Sequence, residues 1–204
     1  MSVRAVILDL GGVIAPGPTR EQISEAAAAC GVDDETFLRA FWKDRIAYDA
    51  GLDPREYWRQ VAAAMGKSLD DGLVQAMIGR EIAFWLRFDD RVLGWARQLR
   101  SGGVRVGLLS NLPIPLGSHL RGDANFMSHF DHATLSCELK IVKPQREIYQ
   151  HAVRGLGVRP AEALFIDDRE ENVEGARAAG LQAFQYTTWE RFSPRSFPFV
   201  RGES

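Results

Sequence analysis

Cysteine is scarce in this chain, with only Cys30 and Cys137 among its 204 residues. Two such cysteines cannot build a disulfide framework, and their spacing is not that of a zinc site. There is also no run of about 18 apolar residues, which excludes a transmembrane helix. The sequence therefore predicts a protein that has no membrane partner and keeps its cysteines reduced in the cytoplasm.

An excess of charge is missing as well, because 25 lysines and arginines stand against 27 aspartates and glutamates, a formal net charge of −2. This excludes a broad basic surface, so nucleic acid is not an expected partner. The balance is also too close to neutral for a disordered acidic protein. The length favours one domain, or one domain that carries a substantial insertion.

Short apolar and β-branched segments predict the strands of a buried parallel sheet. In chain order they cover residues 3–8, 104–109, 133–136, 163–166 and 182–186. Helical patterns separate the later strands, and this alternation is typical of a doubly wound α/β fold. We therefore expect a Rossmann-like core with a parallel five-stranded sheet.

A long helical segment interrupts the alternation directly after the first strand. Residues 15–87 show helical periodicity and no convincing strand, and residues 53–56 form a capping box with proline at the first helical position. We expect an all-helical insertion at 15–87, with the core formed by 1–14 and 88–204.

The carboxyl-terminal stretch, residues 187–204, has no clear periodicity but is rich in aromatic side chains. These are Trp189, Phe192, Phe197 and Phe199. We expect the stretch to pack on the body of the protein or on a partner.

Residues capable of binding or attacking a charged ligand stand where four of the strands end. In chain order they are Asp9, Ser110 with Asn111, Lys143, and Asp167 with Asp168. In an open parallel sheet, ligands bind beyond the carboxyl ends of the strands. The sequence therefore predicts that these carboxylates, hydroxyl, amide and ammonium converge on one edge of the sheet.

This set of side chains suits phosphate chemistry. Carboxylates gathered at one point require a cation, and oxygen ligands favour Mg²⁺. A further carboxylate can act as a nucleophile and form an aspartyl-phosphate. Taken singly, Asp9 could be a buried ion-pair member, and Asp167-Asp168 could simply cap the following helix. All four groups of polar residues follow predicted strands of one chain, and this shared position favours the catalytic interpretation.

Four motifs together resemble the haloacid dehalogenase-like hydrolase superfamily. They are Asp9-Leu-Gly-Gly-Val, Leu109-Ser-Asn, Lys143-Pro, and Phe165-Ile-Asp-Asp with Asn172-Val-Glu-Gly-Ala. The resemblance runs from the first strand to the fifth and implies that the insertion is a small helical cap. It is greatest to bacterial α-glucose-1-phosphate phosphatase-like members and to the amino-terminal phosphatase domain of epoxide hydrolases.

The resemblance also implies a role for each motif residue. Asp9 is implied as the nucleophile and a Mg²⁺ ligand, and the backbone carbonyl of Gly11 as a second ligand. Ser110 and Asn111 are implied to hold the phosphoryl group, and Lys143 to bridge the nucleophile and the phosphate.

In the fourth motif, Asp168 is implied to bind Mg²⁺ directly and Asp167 to support the metal or its waters. In the cap, Arg45 and Tyr48 stand where members of the family face their substrate. They are candidates for substrate binding, although cap packing or a solvated surface would explain them equally well.

One position departs from the family pattern. Most phosphatases of the family carry a second aspartate two residues after the nucleophile, which protonates the leaving group and then activates water; here Gly11 has no side chain. Three explanations remain open. The cap supplies the acid from Asp44, Asp49 or Tyr48; the substrate has a leaving group that needs little protonation; or catalysis is slow or absent. A general acid–base contributes about 10²–10⁴-fold, so the difference matters.

Two other functions compete with a phosphatase. A haloacid dehalogenase uses the same kind of aspartate without a metal, but its family members lack the acidic pair Asp167-Asp168. A non-enzymatic interaction module does not need Asp9, Lys143 and Asp168. We therefore expect a cytoplasmic Mg²⁺-dependent phosphohydrolase, monomeric or homodimeric, that acts on a small phosphorylated metabolite such as a sugar phosphate.

Overall fold

A five-stranded parallel sheet forms the centre of the computed structural model, which describes residues 3–192. The strands are β1 (Ala5–Leu8), β2 (Arg105–Ser110), β3 (His132–Leu135), β4 (Ala163–Asp167) and β5 (Gln182–Gln185). Their order in the sheet is β3-β2-β1-β4-β5, and every neighbouring pair is parallel. The predicted α/β sheet is therefore confirmed, with β1 at its centre.

Helices cover both faces of the sheet and give each face its own apolar core. The helices outside the insertion are α6 (Asp90–Ser101), α7 (Ile114–Gly122), α8 (Ala124–Met127), α9 (Ser136–Leu139), α10 (Arg146–Leu156), α11 (Glu170–Ala178) and α12 (Trp189–Phe192). On one face Val6 and Leu8 pack with Trp95 of α6. On the other, Ile7 packs with Ile148 of α10. Alternate residues of β1 therefore point into opposite cores, as the two-residue period of a strand requires.

The insertion is helical, as the sequence predicted for this segment. Its helices are α1 (Arg20–Ala29), α2 (Asp34–Lys43), α3 (Arg45–Asp49), α4 (Pro54–Ala64) and α5 (Asp71–Phe84). The side chains of Thr19, Asp33, Asp53 and Asp70 accept hydrogen bonds from the first-turn amides of α1, α2, α4 and α5. These caps satisfy backbone donors that a helix start leaves free. That residues 15–87 form a separate unit stays a prediction.

A dense aromatic cluster holds the cap helices together. Phe37, Phe41 and Trp58 are fully buried, and the ring of Tyr48 stacks on Tyr57 with centroids 3.7 Å apart. Aromatic side chains bury large areas, so a small helical unit gains a core from a few residues. Phe37, Phe41 and Trp58 are thus core residues of the cap.

The two chain segments that join the cap to the sheet lie side by side. The Asp89 amide donates to the Ile14 carbonyl over 2.8 Å, and Arg87 donates to the Gly17 carbonyl over 2.9 Å. Trp85 packs against both the cap core and one core of the sheet. The cap is therefore fastened at its base, beside the end of β1.

The aromatic carboxyl-terminal stretch is described as far as residue 192. Phe192 packs edge-to-face on Trp95 with ring centroids 4.9 Å apart, so the start of this stretch lies on the body of the protein. Phe197 and Phe199 fall outside the described residues. Among residues 3–192, no helix is long and apolar enough to cross a membrane.

Close packing of α11 on the Lys143-Pro144 turn gives a stability prediction. A Cβ at Gly175 would lie 2.6 Å from Pro144 Cβ and 3.0 Å from both Pro144 O and the Tyr149 hydroxyl oxygen. We expect Gly175→Ala to lower the free energy of unfolding by about 1–3 kcal/mol, because overpacking outweighs helix propensity. Chemical denaturation measures this change.

Gly79→Ala is the matched control, because Gly79 is also inside a helix but a Cβ there would have no neighbour within 4 Å. Helix propensity alone predicts a gain of about 0.8–1 kcal/mol for this variant. If both variants gained stability, the packing argument for Gly175 would be wrong.

Candidate active site

The ends of β1 and β4 bring two carboxylates to one ammonium. Lys143 Nζ lies 2.9 Å from Asp9 Oδ1 and 2.6 Å from Asp167 Oδ2, and all three residues are buried. Residues Leu8 and Ile166 are register partners in these adjacent strands, so Asp9 and Asp167 emerge side by side. The structure thus brings together three of the residues that the sequence selected.

Asn111 fixes the backbone around Lys143. Its amide nitrogen donates to the Lys143 carbonyl over 3.1 Å, and its amide oxygen accepts from the Lys143 N–H over 2.8 Å. Ser110, buried at the end of β2, precedes it. The sequence did not indicate this positioning contact, because 32 residues separate the partners. Binding of a phosphoryl group by Ser110 and Asn111 stays a prediction.

Asn172 is a site residue whose contact the sequence analysis missed. From the first turn of α11, its amide nitrogen donates to both oxygens of Asp167, at 3.0 and 3.1 Å. The Arg169 N–H donates to Asp167 Oδ1 over 2.8 Å. The sequence analysis named Asn172 only as part of a motif. Its position five residues after Asp167, at the start of a helix, could have predicted the contact.

Asp168 stands beside the loop that follows β1. A Cβ at Gly12 would lie 2.4 Å from the Asp168 carboxyl carbon, and Gly12 has a φ of +73°. Glycine is therefore required here for both space and backbone conformation. Asp9, Asp167 and Asp168 each offer an oxygen within 4.8 Å of the others.

The electrostatics of the cluster are dominated by burial and by the shared ammonium. Burial raises the pKa of Asp9 to about 8; Lys143 opposes this effect and Asp167 adds to it. Burial likewise acts to raise the pKa of Asp167, but Lys143 and the hydrogen bonds from Arg169 and Asn172 outweigh it, and the pKa lies below its usual value.

The other two groups show the same competition. Burial acts to lower the pKa of Lys143, but its two carboxylate partners raise it above its usual value, so the side chain is an ammonium. Burial, followed by the charge of Asp167, raises the pKa of Asp168. One ammonium thus faces three carboxylates, which leaves negative charge uncompensated.

These residues fit a divalent cation. Three carboxylates within 4.8 Å of one another form an oxygen donor set with more negative charge than Lys143 neutralises. Hard cations such as Mg²⁺ prefer oxygen ligands of this kind. That the Gly11 carbonyl and these particular carboxylates are the ligands stays a prediction.

The position two residues after Asp9 is covered by an aromatic ring. A Cβ at Gly11 would lie 3.1 Å from Cζ3 of Trp85, the residue that follows α5 at the base of the cap. The same ring edge would lie 3.4 Å from a Cβ at Gly17. The space beside Gly11 is therefore hydrocarbon, and an acidic side chain at this position would have to displace the indole.

The cap candidates Arg45 and Tyr48 belong to a buried polar network. Arg45 donates to Asp49 Oδ1 over 2.9 Å and to Glu81 Oε1 over 2.5 Å, and the Tyr48 hydroxyl donates to Glu81 Oε2 over 3.0 Å. Their polar groups thus have partners inside the cap. Glu81 was missed by the sequence analysis, although a carboxylate on the apolar face of α5 was a signal for it. A substrate contact of Arg45 or Tyr48 stays a prediction.

Comparison with known proteins identifies the fold and its family. The family model for haloacid dehalogenase-like hydrolases matches residues 3–180. The chain belongs to the haloacid dehalogenase-like hydrolases. The predicted family and the predicted enzyme class, a hydrolase with phosphatase relatives, are confirmed.

Relatives and neighbouring structures agree with this membership. A sesquiterpene phosphatase of Aspergillus oryzae is 28% identical over 187 residues, 90% of both chains. D-ribitol-5-phosphate phosphatase of Bacteroides thetaiotaomicron is 27% identical and covers 90% of this chain and 91% of its own. The fold is similar to a haloacid dehalogenase-family enzyme of Bacteroides thetaiotaomicron in complex with magnesium and inorganic phosphate. That match has a TM-score of 0.72 and 24% identity, over 94% of this chain and 100% of the other.

The contact between Gly12 and Asp168 generates a prediction about metal binding. We expect Gly12→Ala to lose about 1–2 kcal/mol of stability through its left-handed backbone. It should also weaken Mg²⁺ binding, because the added Cβ displaces the Asp168 carboxylate. Calorimetric titration with Mg²⁺ and denaturation measure the two effects.

Gly66→Ala is the control, since Gly66 has a similar φ of +70° but a Cβ there would meet nothing within 4 Å. This variant should lose similar stability and keep its Mg²⁺ affinity. Unchanged Mg²⁺ affinity in Gly12→Ala would show that Asp168 is not part of the metal site.

Proposed function

We propose that the protein is a Mg²⁺-dependent phosphohydrolase that acts on a small phosphomonoester, with sugar phosphates favoured, in the cytoplasm. The observation that carries this proposal is the pairing of the Asp9 carboxylate with Lys143 at the end of the central strand, 2.9 Å apart. A nucleophilic carboxylate held by a cation, with two further carboxylates nearby, is an arrangement suited to attack on phosphorus.

In the proposed reaction, an Asp9 oxygen attacks phosphorus and the bond to the leaving oxygen breaks, which forms an aspartyl-phosphate. Water then attacks this intermediate and releases phosphate. Lys143 favours the ionised form of Asp9 against the effect of burial and neutralises charge on the phosphoryl oxygens, while Ser110 and Asn111 donate hydrogen bonds to them. Asp9, Asp168 and the Gly11 carbonyl would hold Mg²⁺, with Asp167 in support, and the ion would supply positive charge that stabilises the reacting phosphoryl group.

Relatives support the phosphoryl chemistry and the type of substrate. One relative is named as a phosphatase of D-ribitol 5-phosphate, a sugar-alcohol phosphate, and another as a sesquiterpene phosphatase. The similar structure was crystallised with magnesium and inorganic phosphate. The organic groups in these two names, a sesquiterpene and a sugar alcohol, differ greatly in polarity, so the relatives support a phosphomonoester more strongly than they support a sugar phosphate.

The dehalogenase alternative is not supported by the charge of the site. A haloacid carries its own carboxylate, and the site already gathers three carboxylates, of which two contact its one ammonium. The interaction-module alternative is opposed by the cost of burial. Buried ionic groups are expensive to maintain, and a docking surface gains nothing from Lys143 and Asp167 in the interior.

Asp9→Asn tests the nucleophile. We expect phosphate release from a panel of sugar phosphates, acyl phosphates and nucleotides to fall by several orders of magnitude, because an amide cannot form the covalent intermediate. Removal of Mg²⁺ with a chelator should abolish the wild-type activity. Asp90→Asn, an exposed change at the start of α6, is the control and should keep full activity.

Turnover retained by Asp9→Asn would refute the nucleophile assignment, and turnover that survives chelation would refute the metal. No release by the wild-type protein from any member of the panel would favour the interaction-module alternative. Circular dichroism of each variant separates lost chemistry from lost folding.

A further inference from the structure

Under the proposed function the ionisable groups of the site already have other roles, because Asp167 and Asp168 serve the metal. Gly11 has no side chain, and the benzo edge of Trp85 occupies the space beside it. Lys143 is bound to two carboxylates, and Asp9 is the nucleophile under the proposed function. A proton for a poor leaving group must therefore come from elsewhere, and the cap is the layer that faces this edge of the sheet.

Asp49, the last residue of α3, is tied directly to that edge. Its backbone carbonyl accepts a hydrogen bond of 2.6 Å from Ser136 Oγ. The same hydroxyl oxygen accepts a hydrogen bond of 2.9 Å from the Leu112 N–H, one residue beyond Asn111. One serine therefore joins the end of α3 to the segment that carries Ser110 and Asn111.

The carboxyl group of Asp49 is oriented by one oxygen and open at the other. Oδ1 accepts from Arg45 Nε over 2.9 Å. Among residues 3–192, Oδ2 accepts no hydrogen bond. It is also absent from the side-chain oxygens and nitrogens of these residues that are fully buried and unpaired. The side chain keeps 11% of its surface exposed. Oδ2 therefore faces accessible space.

The charges felt by Asp49 indicate where it lies. Besides Arg45, the cations that act on its carboxyl are Lys143 and Arg169, both from the sheet edge that forms the site, and the carboxylate of Glu81 acts on it from α5. Burial nevertheless outweighs these cations and raises the pKa of Asp49 above its usual value. The group thus holds a proton more readily than an ordinary aspartate, which favours a role as an acid.

The other cap candidates are less suited to the task. The Tyr48 hydroxyl donates to Glu81, and its ring is fully buried against Tyr57. Burial and the charge of Glu81 raise the pKa of Tyr48 far above its usual value, which makes it a weaker acid. Asp44 precedes α3, at the end remote from the contact with Ser136, and among residues 3–192 its side chain forms no hydrogen bond or ion pair with the sheet edge.

We propose that Asp49 is the catalytic acid and base that replaces the missing side chain at Gly11. This inference rests on the proposed phosphohydrolase function. As Asp9 attacks phosphorus and the phosphorus–oxygen bond to the leaving group breaks, protonated Asp49 gives its proton to the departing oxygen. Asp49, now a carboxylate, then takes a proton from water, whose oxygen attacks the aspartyl-phosphate and releases Asp9. Arg45 acts as a positioning residue, because it holds Oδ1 and leaves Oδ2 to carry the proton.

Asp49→Asn is the appropriate test, because an amide oxygen still accepts from Arg45 and the backbone tie to Ser136 is unchanged. Two substrates are compared by rapid mixing. One is p-nitrophenyl phosphate, whose leaving group departs without protonation, and the other is the best sugar phosphate of the panel. Formation of the aspartyl-phosphate requires an acid only with the sugar phosphate. Hydrolysis of the aspartyl-phosphate requires a base with both substrates.

With p-nitrophenyl phosphate, Asp49→Asn should release a first equivalent of p-nitrophenolate at close to the wild-type rate. Its steady-state rate should then fall by about 10²–10⁴-fold, because water is no longer activated. With the sugar phosphate, the single-turnover rate should itself fall by about 10²–10⁴-fold. Asp71→Asn, a change at an exposed cap residue, should behave as wild type with both substrates.

A merely structural role for Asp49 predicts a different result, in which the first step slows equally for the two substrates. That outcome, or wild-type kinetics of Asp49→Asn with the sugar phosphate, would overturn the assignment. Failure of the proposed function is separately visible, because the wild-type protein would then release no phosphate before any cap variant is tested.

Discussion

The ammonium of Lys143 is the group on which the arrangement of the site depends. The parallel register of β1 and β4 obliges Asp9 and Asp167 to emerge beside one another, and burial makes their mutual repulsion costly. Lys143 contacts both carboxylates at 2.9 and 2.6 Å and offsets part of that cost. Removal of the ammonium would leave two buried carboxylates without their shared partner.

Much of the surrounding sequence serves to hold this ammonium in place. From the end of β2, the Asn111 side chain forms two hydrogen bonds with the Lys143 backbone, and α11 packs on Pro144 through Gly175. The Tyr149 hydroxyl donates to the carbonyl of Asn172, whose side chain in turn orients Asp167. Elements from three parts of the chain thus converge on one ion pair, and preorganisation of this kind is what electrostatic catalysis requires.

The sheet and the strand-end residues could be predicted because both follow from local pattern. A short apolar run that ends in Asp9 or Asp167 predicts both a buried strand and a site residue at the carboxyl end of that strand. The third strand runs from His132 to Leu135, one residue earlier than expected, because Ser136 already begins a helical turn. A weak strand at the edge of a sheet offers little pattern to fix its bounds.

Most of the contacts that escaped prediction join distant parts of the chain, whereas the missed contact of Asn172 with Asp167 spans only five residues. The ion pair of Arg45 with Glu81 spans 36 residues, and the tie from Asp49 to Ser136 spans 87. The ring of Trp85 over Gly11 depends on how the base of the cap folds back on β1. Such pairings do not follow from the spacing of residues along the chain. The sequence therefore predicted candidate residues in the cap but not the residues that they contact.

Placing the acid on the cap changes how catalysis is controlled. An acid two residues after the nucleophile is present whether or not the cap covers the site. Asp49 is available only while α3 lies on the sheet edge, where Ser136 binds its carbonyl. Under the proposed function, protonation of the leaving group would then depend on the contact between α3 and the sheet edge. Gly11 and Trp85 fit this arrangement, because a hydrocarbon wall beside the nucleophile leaves proton transfer to the closed cap.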